Sequence, residues 1–184
     1  MTNPLDQLRG VDLSHLSKQE AKEFTLLLEE LEKREKRESS MASFYDFVKA
    51  IWPEFIAGAH HKKMAEAFDK IASGESKRLI INMPPRHTKS EFASYLFPAY
   101  LLGKRPKLKI IEATHTADLA INFGRRVRDL LESEEYAEIF PATELKADSR
   151  SAGKWNTSQG GQYYAAGIGG ALAGRGADLF IIDD

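Results

Sequence analysis

Hydrophobic positions along the chain follow two regimes. In the first they recur every three or four residues: Ala21, Phe24, Leu27, Leu28 and Leu31, then Phe44, Phe47, Val48 and Ile51, then Met64, Ala65 and Phe68. That spacing gathers side chains on one helical face and predicts three helices. The first starts after Ser17, which forms a capping box with Glu20, and the charged run KREKRE at 33–38 reads as its solvated end. The second stops at Trp52-Pro53, and the third spans about 60–71, ahead of Ser73-Gly74. Residues 1–16 show no periodicity and are expected to form an extended or partly ordered lead.

From residue 78 the pattern changes. RLIIN (78–82) and LKIIEA (108–113) are short continuous apolar runs, as in strands buried on both faces. Between them SEFASYLFPAYLL (90–102) reads as a helix bent at Pro98. An amphipathic helix from about Ala117 to Leu131 follows, then a short helical piece before Phe140-Pro141 and strands around 154–157 and 162–166. The glycine-rich GIGGALAGRG (167–176) leads into a last buried strand, DLFII, which ends in Asp183-Asp184. Apolar strands alternating with helices predict an α/β fold with a largely parallel central sheet covered by helices on both faces. A buried strand ordinarily delivers its polar end into a loop and a further helix, so a chain finishing at Asp184 reads as truncated after that strand. The expected organisation is an N-terminal helical lead, 1–43, and an α/β domain, 44–184, incomplete at its C-terminal end.

Composition narrows the class without naming a chemistry. The 184 residues are 42% hydrophobic and 29% charged with a net charge of −1, which fits a soluble globular chain of about one domain. No apolar run approaches the roughly 20 residues that span a bilayer, so no membrane association is expected. With no cysteine, disulfides and thiolate metal sites are excluded. Near-neutral charge leaves room for a local basic cluster such as Arg125, Arg126 and Arg128 to contact nucleic-acid phosphates.

The chemistry begins at MPPRHTKS, 83–90. A strand, a loop, then Lys89 and Ser90 at the start of a helix would aim backbone N–H groups and a helix dipole at a phosphate. Lys89 would reach the β and γ oxygens of ATP, and the Ser90 hydroxyl would ligate Mg²⁺. Pro84, Pro85, Arg86, His87 and Thr88 would form the rest of the cradle. Met83 and Thr88 stand where the ordinary motif has glycines. A β-branched residue resists the left-handed conformation by about 1–3 kcal/mol. Thr88 is therefore expected either to escape positive φ or to hold the empty loop strained or closed.

DLFIIDD has the form of a Walker B segment, a buried strand whose first acid, Asp183, holds Mg²⁺ through water while the next, Asp184, polarises the attacking water. Found together, the loop and the acid-ended strand point to ATP and Mg²⁺ in a P-loop NTPase of the RecA-like type. His60-His61 and His87 lack metal-ligand spacing, so no other metal is expected.

Three blocks in order carry a resemblance that covers about Phe44 to Asp184: HHKKMAEAFDKIASGESKRLIINMPPRHTKS, IIEATHTADLAINFGRRVRDLL and KWNTSQGGQYYAAGIGGALAGRGADLFIIDD. They resemble the N-terminal ATPase domain of the large terminase subunit, the DNA-packaging motor of tailed bacteriophages. The resemblance implies that Arg86 contacts the γ-phosphate and that Arg175, in GRG, acts as an arginine finger in a neighbouring subunit's site. It implies double-stranded DNA, a portal protein, a small terminase subunit and a homo-oligomeric ring as partners, in the host cytoplasm during virus assembly. The family more often has Glu where this chain has Asp184, so either Asp184 or an acid beyond it is the catalytic carboxylate. Trp52, Pro53 and Phe55 occupy the region that holds adenine, with core packing as the plainer reading of the aromatics. Thr114 and His115 follow the second strand, where a nucleotide-state or DNA contact and simple capping are both open. The alternatives are a superfamily-2 helicase-like ATPase and a nucleotide-binding fragment without hydrolysis. The nuclease domain that follows in full-length terminases is absent from these residues.

Overall fold

The structure, a computed structural model, describes residues 8–149, 151–170, 172 and 174–183. The chain divides into two compact units, Met1–Ser39 and Ser40–Asp184, slightly ahead of the boundary expected at residue 43. Helix α1 (Lys18–Ala42) begins at the predicted capping box: Ser17 N–H donates to Glu20 Oε2 at 2.8 Å, and Glu20 N–H to Ser17 Oγ at 3.3 Å. The helix does not end in the charged run but continues through it, with Arg34 and Glu38 paired one turn apart at 3.0 Å. Leu26, Leu27 and Leu31 are exposed along it.

In the second unit, α2 (Phe44–Ile51) and α3 (Ala59–Ser73) match the predicted helices closely. Ser43 caps α2 through the Asp46 N–H, and Gly74 ends α3 in the left-handed conformation that glycine adopts freely. Phe44 sits at the centre of an aromatic core, edge-on to Phe68, Phe92 and Phe97 at centroid distances of 5.2, 5.6 and 5.4 Å.

The helix predicted over 90–102 is in two parts. A π-helical stretch, Glu91–Leu96, precedes α4 (Phe97–Lys104), and Pro98 falls in the first turn of α4. Proline lacks an N–H and crowds the carbonyl four residues back. A wider turn, closed by the Phe97 N–H on Phe92 O, relieves that crowding.

Strand β1 (Lys109–Thr114) is central, followed by α5 (Ala117–Leu131), α6 (Glu134–Ile139), β2 (Lys154–Asn156), β3 (Gln162–Gly167) and β4 (Leu179–Ile182). The sheet order is β2-β3-β1-β4, parallel throughout except for the antiparallel edge pair β2–β3. The predicted α/β class and mostly parallel sheet flanked by helices are therefore observed. Core residues from alternate strand positions, Ile110, Tyr163, Ala165 and Ile181, join the helical core. On the opposite face Ile111 and Ala113 are buried, whereas Phe180 and Ile182 are exposed. Helix α5 seats closely on β3 through Gly124, whose carbonyl accepts from Trp155 Nε1 at 3.0 Å. A Cβ added at Gly124 would lie 2.6 Å from Ala152 O.

The segment 78–82 departs from expectation. It is not a strand, and Ile80 is 85% exposed rather than buried. The segment and β4 form opposite walls of a cleft of about 690 Å³. Apolar content favours extended, β-branched backbone, but a strand exists only where a neighbour accepts its ladder. Across that gap neither edge finds one among the described residues.

Candidate functional site

Residues 85–88 turn sharply, and helical backbone begins at Lys89-Ser90, with Phe92 N–H donating to Thr88 O at 3.0 Å. Pro84, Pro85, Arg86, His87, Thr88, Lys89 and Ser90 line one cavity of about 380 Å³ at this helix start. Lys89 also lines the cleft of about 690 Å³, and there it meets Asp183, far away in sequence: Nζ lies 3.6 Å from Asp183 Oδ1. The sheet makes this possible, because β4 runs parallel to β1 and delivers Asp183 to the C-terminal end of the strands, where its N–H donates to Ala113 O at 2.9 Å. Ser94, on the π-helical stretch, donates its hydroxyl to Asp183 Oδ2 at 3.0 Å. Asp183 is 5% exposed, so its charge is answered by one ammonium and one hydroxyl rather than by bulk water.

Thr88 does not escape positive φ. It lies at φ 61°, and Arg86 at φ 63°, two left-handed residues flanking His87. The first of the two expectations for Thr88 is thus overturned, and the reason is its hydroxyl. Thr88 Oγ1 is 2.8 Å from His61 Nε2 and donates to His87 O at 2.7 Å, so local hydrogen bonds offset the steric cost. His61 is buried, its ring against Phe55 and Phe92 at centroid distances of 4.7 and 5.5 Å.

The remaining predicted residues separate. Arg86 is exposed on the loop. Arg175 is elsewhere: its guanidinium stacks 3.9 Å from the Tyr164 ring, in a separate cavity of about 250 Å³ lined by Lys109 and Gln162, which begin β1 and β3. The chain does not bring it to Lys89 and Asp183. Asp184 lies outside the described residues. Trp52 and Phe55 pack on each other at 5.4 Å, and Phe55 reaches Phe92, which favours the packing reading of both. Thr114 is buried and donates to Thr116 O at 2.7 Å; the cap of α5 is Thr116, not Thr114. In the basic cluster, Arg126 is held by Glu91 at 2.9 and 2.5 Å and Arg128 by Asp129 at 2.6 Å, so these two are engaged by acids on their own chain. Among the described residues no group of three or more His, Cys, Asp or Glu side chains is placed to hold a metal, and no helix is long and apolar enough to cross a membrane.

Sequence reasoning missed Glu112. It is completely buried in the middle of β1, and among the described residues neither carboxylate oxygen has a hydrogen-bond partner. Burial above all, with the Asp183 carboxylate adding to it, pushes its pKa up to about 9 against the opposing effect of nearby Ser94. The available signal was a single acid inside the apolar run KIIEAT. The Tyr163 hydroxyl is likewise buried without a partner among the described residues, and burial next to Glu112 raises its pKa well above the usual phenol range.

The donor set fits a nucleotide phosphate tail and a divalent cation. The locus offers the Lys89 ammonium and the Ser94 hydroxyl on the Asp183 carboxylate, the Ser90 hydroxyl at the helix start beside Lys89, and a loop with left-handed residues of the kind that turn successive N–H groups inward. Comparison with protein-family models, with curated proteins and with solved structures gives no match for this chain.

Proposed function

We propose that this chain is an ATP-hydrolysing domain of the DNA-packaging terminase type. The observation that carries the reading is the meeting of Lys89 with Asp183 at 3.6 Å, since a loop suited to phosphate and a strand end suited to Mg²⁺, far apart in sequence, come together. Lys89 would neutralise the β and γ oxygens, and Ser90 with Asp183 would hold Mg²⁺, whose role is to balance charge as the γ-phosphoryl group departs. Asp183 is pre-set for this by the Ser94 hydrogen bond, which fixes one carboxylate oxygen and leaves the other facing Lys89. Arg86 adds a loop charge at the same mouth. Arg175 stacks on Tyr164 in a cavity separate from its own chain's Lys89–Asp183 cluster, which leaves a role in a neighbouring subunit of a ring open to it. Double-stranded DNA as the translocated partner, a portal protein and a small terminase subunit follow from the resemblance over Phe44–Asp184.

The reading is tested by steady-state ATP hydrolysis with and without double-stranded DNA, for the wild-type chain and for Asp183→Ala. Mg²⁺-dependent turnover that the variant lacks supports it. Turnover that persists in Asp183→Ala would show that Asp183 does not hold the catalytic Mg²⁺. A superfamily-2 helicase would instead unwind duplexes in a strand-displacement assay, an activity this reading does not predict.

A further inference from the structure

Thr88 occupies a left-handed position, where glycine is the ordinary residue, and a buried side chain from another element holds it there. Gly58 N–H donates to His61 Nδ1 at 2.8 Å. A backbone N–H only donates, so Nδ1 is the bare nitrogen of the ring and a neutral His61 carries its proton on Nε2. That Nε2–H faces Thr88 Oγ1 at 2.8 Å, and the threonine hydrogen goes to His87 O at 2.7 Å. Donors and acceptors are therefore ordered along the whole path from α3 to the loop. The ring has little freedom to leave it. His61 is 6% exposed and clamped between Phe55, Phe92 and His60, the last at a centroid distance of 3.8 Å. Burial, with His60 and His87 nearby, lowers its pKa and favours the neutral form the path requires.

We propose that His61 is a positioning residue for the phosphate loop. It grips the Thr88 hydroxyl and holds residue 88 left-handed, so that the loop keeps the shape a nucleoside triphosphate tail requires. Threonine at this position is then an anchor rather than a defect: a glycine would reach the same conformation unaided but offer His61 nothing to hold. The role rests on the ATP-binding reading above and adds a residue that contacts the loop, not the reacting atoms.

Calorimetric titration of Mg·ATP into single variants and one double variant tests it, with imidazole ¹⁵N shifts recorded alongside. Thr88→Val keeps the branching and removes the hydroxyl that holds residue 88 left-handed, so the loop leaves that shape and binding should weaken about tenfold. His61→Ala should do the same, and Thr88→Ser should bind like wild type. In the Thr88→Gly background adding His61→Ala should cause no further loss, as expected of coupled neighbours. A merely structural His61 would weaken the Thr88→Gly background as much as it weakens wild type. The ¹⁵N spectrum of wild type should show His61 protonated on Nε2, with that signal shifted in Thr88→Val. If His61→Ala does not fold, Thr88→Val and the spectrum decide. Binding unchanged in Thr88→Val, or His61 protonated on Nδ1, overturns the proposal while leaving ATP binding intact if Lys89→Ala abolishes it. A wild-type chain that binds no Mg·ATP overturns both.

Discussion

Glu112 makes the sharpest quantitative prediction. Its carboxyl is completely buried without a hydrogen-bond partner among the described residues, and burial pushes its pKa from 4.5 up to about 9. Below pH 4.5 both the folded and unfolded chains hold the proton and the group contributes no pH dependence. Above it, the unfolded chain releases a proton that the folded chain keeps, so stability falls as pH rises, by about 1.4 kcal/mol per pH unit. The loss reaches about 3 kcal/mol by pH 7 and levels off only above pH 9, where the folded chain also ionises. Glu112→Gln has the shape of the protonated acid and cannot ionise. It should match wild type at pH 4.5 and exceed it by about 3 kcal/mol at pH 7, which for a chain of this size is several degrees in Tm. Urea unfolding followed by circular dichroism at pH 4.5, 6 and 7.5, with EDTA present to exclude cation binding at Asp183, measures both curves. Parallel pH profiles for wild type and Glu112→Gln would refute the burial argument, because they would mean that Glu112 ionises in the folded chain as it does in water.

Three further outcomes are expected. Gly124→Ala places a methyl 2.6 Å from Ala152 O and 3.0 Å from the Tyr163 ring, and should cost about 1–3 kcal/mol by forcing α5 off β3, read by the same urea titration. Tyr163→Phe removes an unpartnered buried hydroxyl and should be neutral or stabilise by about 1 kcal/mol, with a clear loss of stability as the contrary result. Arg175→Ala should leave Mg·ATP affinity within about twofold while reducing turnover of the assembled protein by roughly 10³ or more, and equal turnover would remove the finger role.

Helices were legible wherever a single face is apolar: the period of Phe44, Phe47 and Val48 and the capping box at Ser17 survive in the structure because local spacing decides them. Although the parallel strand expected ahead of the Lys89 loop did not form, the pairing of that loop with the strand ending in Asp183 was legible as a joint motif. The segment 78–82 was not. Its composition specifies burial and extension, but pairing requires an edge within reach, and no local signal encodes that distance. The His61–Thr88 contact was invisible for a related reason: it joins residues 27 apart on different elements, and neither residue type announces the other. Arg175 was placed by its neighbouring glycines and by resemblance, which say what it could reach but not which chain's site it would face. Glu112 is readable in principle as an acid inside an apolar strand, but its apolar neighbours fix the strand so firmly that the pattern looks the same with or without it.

Everything proposed for this chain depends on the loop ending in Lys89-Ser90 and the strand ending in Asp183 forming one nucleotide site. Calorimetric titration of Mg·ATP into wild type, Lys89→Ala and Asp183→Asn reads that site without requiring turnover. Wild type should bind saturably at one site, Lys89→Ala should lose that binding, and Asp183→Asn should retain ATP only weakly and without Mg²⁺ dependence. Equal affinity in wild type and Lys89→Ala would contradict the shared site.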